Sequence, residues 1–199
     1  MTSDWDVMAP EFTVLVVCTA NICRSPIAER MLQKRFDEIA AGEFRVSSAG
    51  THGLTGQGAE PTIVGIAAHH GLSLDDFTAR ALVPKLVEEA DLILTMERTH
   101  RSHIALMVPA ALKRTFTLRE FARILPHVPA ESAARPSQRW HSLVALAQRH
   151  RRPPGEPRFD DVVDPYGCSP RIYEEMLAQL LPAVEALFDW ELHRSPKRS

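Results

Sequence analysis

The chain is short of cysteine, of net charge and of long apolar runs, and each shortage removes a class of protein. Three cysteines in 199 residues cannot build a disulfide scaffold, and the odd number points to reduced or reactive thiols. Lysine and arginine number 23 against 25 acidic residues, a formal charge of −2. No basic surface therefore suggests nucleic acid or an anionic membrane as a partner. No apolar stretch approaches the length of a membrane span, and the opening Met1–Asp6 is acidic where a secretory signal would be basic. A cytoplasmic protein is the expectation. No internal repeat is visible. What remains is an ordinary composition, 45% apolar and 24% charged, in a length suited to one domain with a substantial core.

Against that background the stretch from Val14 to Pro26 stands out. Four apolar β-formers, Val14-Leu15-Val16-Val17, run straight into Cys18; a loop follows, then Arg24, then Ser25-Pro26. The apolar run reads as a buried parallel strand. Ser25 reads as an N-cap with Pro26 at the first helical position. A loop at a helix N-terminus aims backbone N–H groups and the positive end of the dipole at one point, which suits an anion. A thiol placed there is activated as a nucleophile.

Residues 1–11 read as a loose leader, 12–193 as one domain and 194–199 as a tail. Ile27, Met31, Leu32, Phe36 and Ile39 give Ser25 to about Ala40 an amphipathic helical pattern. Glu43–Ser47 alternates like an edge strand, and Ser48–Gly58 reads as loop. Pro61 opens a helix to His70, stopped by Gly71, and Pro84 opens a short one ending near Glu89. Asp91–Met96 is a third strand, Glu97 to about Met107 a helix, and Arg114–Phe116 a fourth strand. Thr117 with Glu120 is a capping box for a helix through Leu125. Proline breaks make 126–139 a loop, Trp140 to about Arg149 an added helix, and 126–157 as a whole an insertion. Ser169-Pro170 starts a long helix to about His193, with a kink at Pro182. Strands alternating with helices make an α/β fold with a parallel sheet, whose ligands sit off the carboxyl ends of the strands. Cys18 lies at such an end.

Cleaving a phosphate ester with a thiol needs a nucleophile, a cradle, a cation and an acid. Cys18 supplies the first, and the amides of residues 19–24 (Thr19, Ala20, Asn21, Ile22, Cys23 and Arg24) form the cradle. Arg24 offers a bidentate fork that does what a metal would otherwise do. Ser25 can give its hydroxyl to the sulfur, and Asn21 holds the loop's shape. Asp164 is the candidate acid, its loop stiffened by Pro165 and its carboxyl kept protonated by burial among apolar groups. Asp160 and Asp161 read instead as a solvated acidic turn. Arg149, Arg151 and Arg152 read as solvated charges.

The strings VCTANICRSP, SSAGT, DLILTM and DPYG, in that order, resemble the low-molecular-weight protein tyrosine phosphatase family over about 12–125 and 158–190. The resemblance implies a four-stranded parallel sheet flanked by helices, a phosphocysteine intermediate, and neither metal nor other cofactor. It makes Cys18 the nucleophile, Arg24 the clamp and Asp164 the general acid and base. Ser25, Asn21 and Ser48 become the loop's polar support; Tyr166, His52 and Leu54 become the walls around a flat aromatic ester. The implied substrate is a phosphotyrosine protein or small aryl phosphate, with a tyrosine kinase as the implied opposing partner. Three positions depart from the family: Ala20 where glycine is usual, Gly167 where a second aromatic is common, and Phe77 where some members have histidine. If Ala20 needs positive φ, it costs about 1 kcal/mol.

Cys23 reads either as a small buried residue or as a resolving thiol for Cys18, and Cys168 as packing. His69-His70 and His100/His103 lack a completing ligand and read as surface helix histidines rather than a metal site. Two other functions share these residues: a thiol-coupled arsenate reductase, which would want more cysteines, and a catalytically weak phosphoprotein-binding module, which would need neither nucleophile nor acid.

Overall fold

The structure, a computed structural model, describes residues 12–129, 135–153 and 155–192; the expected leader (1–11) and tail (194–199) lie outside the described residues. Strands β1 (Phe12–Cys18), β2 (Phe44–Gly50), β3 (Leu92–Thr95) and β4 (Thr115–Thr117) form one parallel sheet in the order β2-β1-β3-β4. The helices are α1 (Arg24–Ala40), α2 (Pro61–His69), α3 (Pro84–Glu89), α4 (Arg98–Met107), α5 (Leu118–Ile124), α6 (Pro136–Arg149) and α7 (Pro170–Leu192).

The central strands β1 and β3 are mostly apolar because helices cover both faces of the sheet. Phe12, Val14, Val16 and Cys18 point into a large core with Phe36 of α1, Phe121 of α5, Trp140 of α6 and Phe188 of α7. Leu15, Val17 and Ile93 point the other way, against Val87 of α3 and Ile104 of α4. The chain leaves β1 toward β2 on one side and later returns to β3 on the other. The carboxyl ends of β1 and β3 thus flank a topological switch point, where open α/β sheets form their ligand crevice. The loop after β1 and Glu97 after β3 meet there.

Element boundaries differ from the sequence expectation where the deciding partner is distant. Strand β2 runs on to Gly50, because β1 remains available to pair as far as Cys18↔Gly50. Strand β4 is shifted to Thr115–Thr117 after a 3₁₀ turn at Pro109–Arg114. Another 3₁₀ turn, Leu125–His127, occupies part of the expected loop. Helix α6 begins at Pro136 rather than Trp140: Glu43 accepts the Ser137 N–H at 3.1 Å and its hydroxyl at 2.7 Å, capping the first turn from across the fold. Trp140 itself is fully buried, its ring 4.8 Å from Phe36. Helix α7 continues through Pro182.

Two expected surface features are in fact built in. Arg151 lays its guanidinium over the Phe116 ring at 4.2 Å and donates to the Thr115 carbonyl at 2.6 Å, whereas Arg149 and Arg152 are exposed. Asp160, only 2% exposed, is paired with Arg123 at 3.1 Å. Asp161 accepts the Arg98 N–H at 2.8 Å, and its carbonyl accepts from Arg119. The acidic turn is therefore an anchor rather than a solvated loop. It hands the chain to Val162, whose N–H reaches the Met96 carbonyl at 2.8 Å, and so brings Asp164 to the crevice.

Candidate active site

The loop after β1 is shaped from outside. Its carbonyls are taken by the segment after β2: Thr51 N–H donates to Cys18 at 2.9 Å, His52 to Thr19 at 2.9 Å, Leu54 to Ala20 at 3.0 Å, and Glu60 to Ile22 at 2.9 Å. With the carbonyls turned outward, the amides of Ala20, Ile22 and Cys23 find no backbone acceptor among the described residues. That is the arrangement of an anion nest.

Asn21, fully buried, is the residue that takes positive φ, at 59°; Ala20 does not, so the expected alanine strain is absent. Asparagine tolerates this conformation because its side chain can bond locally. The Asn21 carbonyl oxygen accepts the Arg80 N–H at 2.9 Å, which fixes the amide's orientation. Its nitrogen then donates to Ser25 Oγ at 2.9 Å and Ser48 Oγ at 2.8 Å.

Helix α1 begins at Arg24, with Cys23 rather than Ser25 at the N-cap and no side-chain cap. Ser25 is spent elsewhere. Because its oxygen already accepts from Asn21, its proton is available to the Cys18 sulfur 2.9 Å away. The Asn21 N–H also points at that sulfur, at 3.3 Å. A sulfur that accepts two donors at a helix N-terminus suits the anionic nucleophile.

Arg24 is 1% exposed and its five donors can be accounted for one by one. Nη1 reaches Glu97 Oε1 at 2.5 Å and the Val162 carbonyl at 3.0 Å. Nη2 reaches Asp164 Oδ2 at 2.6 Å and Thr19 Oγ1 at 3.3 Å. Nε is buried and has no partner. Asp164 is thus brought to the site as expected, but by a different cause. Its side chain is 45% exposed and ion-paired to Arg24, not buried among apolar groups, and Oδ1 accepts the Tyr166 N–H at 3.2 Å.

Two residues here were not legible as site residues. Glu97 caps α4 while bonding Arg24. Burial alone would raise its carboxyl, but the hydrogen bond and charge of Arg24 hold it below the ordinary value. His100, expected on the surface, is 4% exposed. Its Nδ1 faces the Glu97 N–H at 3.1 Å and its Nε2 faces Thr19 Oγ1 at 2.9 Å. The only advance signal was Glu97-x-x-His100, a reversed capping box ahead of an amphipathic run. Desolvation, opposed by Glu97 and assisted by Arg24, with smaller opposing contributions from Asp164 and Asp161, lowers the ring from 6.5 to about 4. The unfolded chain therefore binds the extra proton first as pH falls, and stability drops between pH 6.5 and about 4. Thermal melts should show Tm falling as pH is lowered through that window, with a stability loss of up to about 1.4 kcal/mol per pH unit. A His100→Gln variant should lose much of the slope; an identical slope would remove His100 as its cause.

Around the mouth, Tyr166 is 58% exposed, His52 is exposed and Leu54 half-buried. Gly167 takes φ +71, a left-handed turn that suits glycine. Phe77 is buried. Cys23 is buried within the loop, and burial, with Glu60 and Cys18 adding to it, pushes its thiol up to about 12; it stays protonated at neutral pH. Cys168 is exposed rather than packed, beside the carbonyls of Tyr166 and Asp164. Among the described residues, no three His, Cys, Asp or Glu side chains gather as metal ligands would.

Residues 13–129 match the model of the family described as low molecular weight phosphotyrosine protein phosphatase. The low molecular weight protein-tyrosine-phosphatase Wzb of Escherichia coli strain K12 is 47% identical over 96 residues, 48% of this chain and 62% of the relative. Etp of the same strain is 42% identical over 103 residues, 52% of this chain and 66% of the relative. The chain thus spans less than two thirds of the length of these curated relatives. In structure, the tyrosine phosphatase amsI of Erwinia amylovora superimposes with a TM-score of 0.64 at 26% identity, covering 92% of this chain and 93% of that one.

Proposed function

We propose that this chain, which belongs to the low molecular weight phosphotyrosine protein phosphatase family, is a phosphomonoesterase working through a phosphocysteine intermediate. The observation that carries this is Arg24 Nε: a buried guanidinium donor without a partner, at the end of a loop whose carbonyls are turned away and whose first residue is a cysteine with two donors on its sulfur. Donors converging in this way suit a phosphoryl dianion.

The Cys18 sulfur attacks phosphorus in line, forming the S–P bond as the ester P–O bond breaks. Asp164, protonated for this step, gives its proton to the leaving oxygen. The same carboxylate then takes a proton from water, which attacks phosphorus, breaks the S–P bond and releases inorganic phosphate. Ser25 and the Asn21 amide hold the sulfur both as attacker and as leaving group. Arg24 Nη2 donates to Asp164 Oδ2 at 2.6 Å. A phosphoryl dianion that takes Nε and Nη2 together displaces that carboxylate toward the leaving group.

The names of the relatives support phosphotyrosine proteins or small aryl phosphates as substrates, with a tyrosine kinase supplying the phosphoprotein. A free thiol nucleophile suits the reducing cytoplasm, and no helix among the described residues is long and apolar enough to cross a membrane.

A series of aryl phosphates of graded leaving-group acidity, assayed in chelator with wild type and Asp164→Asn, tests the mechanism. The variant should lose about 10²- to 10⁴-fold in rate on the poorest leaving groups and far less on the best. Failure of the wild type to hydrolyse any of them would overturn the activity, and a uniform loss across the series would overturn Asp164 as the acid.

A further inference from the structure

The side chain of Thr19 has a role of its own, distinct from the amide cradle. The Glu97 backbone N–H can only donate, so His100 Nδ1, 3.1 Å away, must be the acceptor. Burial keeps the ring neutral, and its one proton is therefore on Nε2, which faces Thr19 Oγ1 at 2.9 Å. Arg24 Nη2, also only a donor, faces the same oxygen at 3.3 Å. With two donors on its oxygen, the Thr19 hydroxyl must donate its own proton, and no acceptor lies within hydrogen-bond distance among the described residues. The hydroxyl sits next to Cys18 in the chain and beside the guanidinium that faces the anion.

We propose that Thr19 donates its hydroxyl proton to the substrate's phosphoryl group, and that His100, as the neutral Nε2–H tautomer, is the positioning residue that aims it. The role rests on the phosphoryl site described above. His100 sets the direction without touching substrate: it fills one lone pair of Oγ1, Arg24 fills the other, and the O–H is left to rotate toward an incoming oxygen. A donor to a charged oxygen at that point strengthens as charge develops on the phosphoryl group.

The test pairs isosteric changes and reads both turnover and binding. Thr19→Val should lower kcat/KM on aryl phosphates, and the affinity for inorganic phosphate, about ten- to a hundredfold; Thr19→Ser should recover to within about threefold. His100→Asn keeps an acceptor for the Glu97 N–H but cannot reach Thr19, so it should fall about tenfold. His100→Gln reaches Thr19 and should recover most of that. In the Thr19→Val background, His100→Asn should add less than about twofold, since the hydroxyl it positions is gone. Nitrogen-15 shifts of the ring should show the proton on Nε2. The proposal falls if Thr19→Val leaves both readouts within twofold, if His100→Asn costs as much without the hydroxyl as with it, or if the proton is on Nδ1. Phosphate binding needs no turnover. A wild type that binds phosphate yet cleaves no ester would sink the phosphatase reading while Thr19→Val still decides this one.

Discussion

Cys18→Ser is expected to remove turnover almost completely while leaving the fold and the anion site in place. The replacement keeps a small buried side chain at a position 2% exposed, beside Ser25 Oγ and the Asn21 N–H. Both neighbours can bond an oxygen as well as a sulfur. The hydroxyl, however, remains protonated at neutral pH and is both a weaker nucleophile and a poorer leaving group. Nucleophile removals of this kind cost about 10⁴-fold or more, and stability should move by no more than about 1 kcal/mol. The readouts are kcat on an aryl phosphate, a denaturant titration, and inorganic phosphate affinity. A variant that keeps a tenth of the wild-type rate would exclude Cys18 as the attacking atom. One that has lost phosphate binding along with its rate would show that the sulfur shapes the loop instead.

Gly50→Ala should be nearly as damaging, although Gly50 touches no substrate. A Cβ there would lie 2.4 Å from the Thr19 carbonyl oxygen, 2.8 Å from Gly53 Cα and 2.9 Å from the Ala20 carbonyl carbon. All three are backbone, so no side chain can move aside. The close approach exists because Thr51, His52 and Leu54 donate to the carbonyls of Cys18, Thr19 and Ala20. Forcing the two segments apart would lengthen those bonds together and turn the loop's amides off their common centre. We expect a loss of about 3 kcal/mol in denaturant unfolding. Since displacements near 1 Å cost about 10²-fold, kcat/KM should fall at least that far. Gly65→Ala, in α2 with nothing within 4 Å of its added Cβ, is the control and should be neutral or slightly stabilising. If both alanines behave alike, the loop is not held by this contact.

The reading of individual residues shows where local pattern suffices. Cys18, Arg24 and Ser25 were recognisable because strand, loop and helix start follow one another without a break, so their relation is set by neighbours in the chain. The capping box of α5 and the glycine stop after α2 were visible for the same reason. Boundaries failed where a partner far along the chain decided them, as at Ser137 with Glu43 and at Gly50 with Cys18. Burial misled in both directions. Asp160 and Arg151 are charges that the fold pairs and covers, while Asp164 was expected buried and is held at the surface by Arg24.

The run from Val14 to Pro26 was enough, unaided, to place a cysteine and an arginine around a helix N-terminus on the carboxyl edge of a parallel sheet. Apolar periodicity and capping chemistry act over a few residues and need no partner. The chain could not show in advance that Asn21 rather than Ala20 bears the left-handed turn, or that the segment from Gly50 to Glu60 turns the loop's carbonyls outward. Nor could it show that Glu97 and His100 stand beside Arg24 and Thr19. Those relations join residues separated by tens of positions, and only the parallel pairing of β2, β1 and β3 brings them within hydrogen-bond reach.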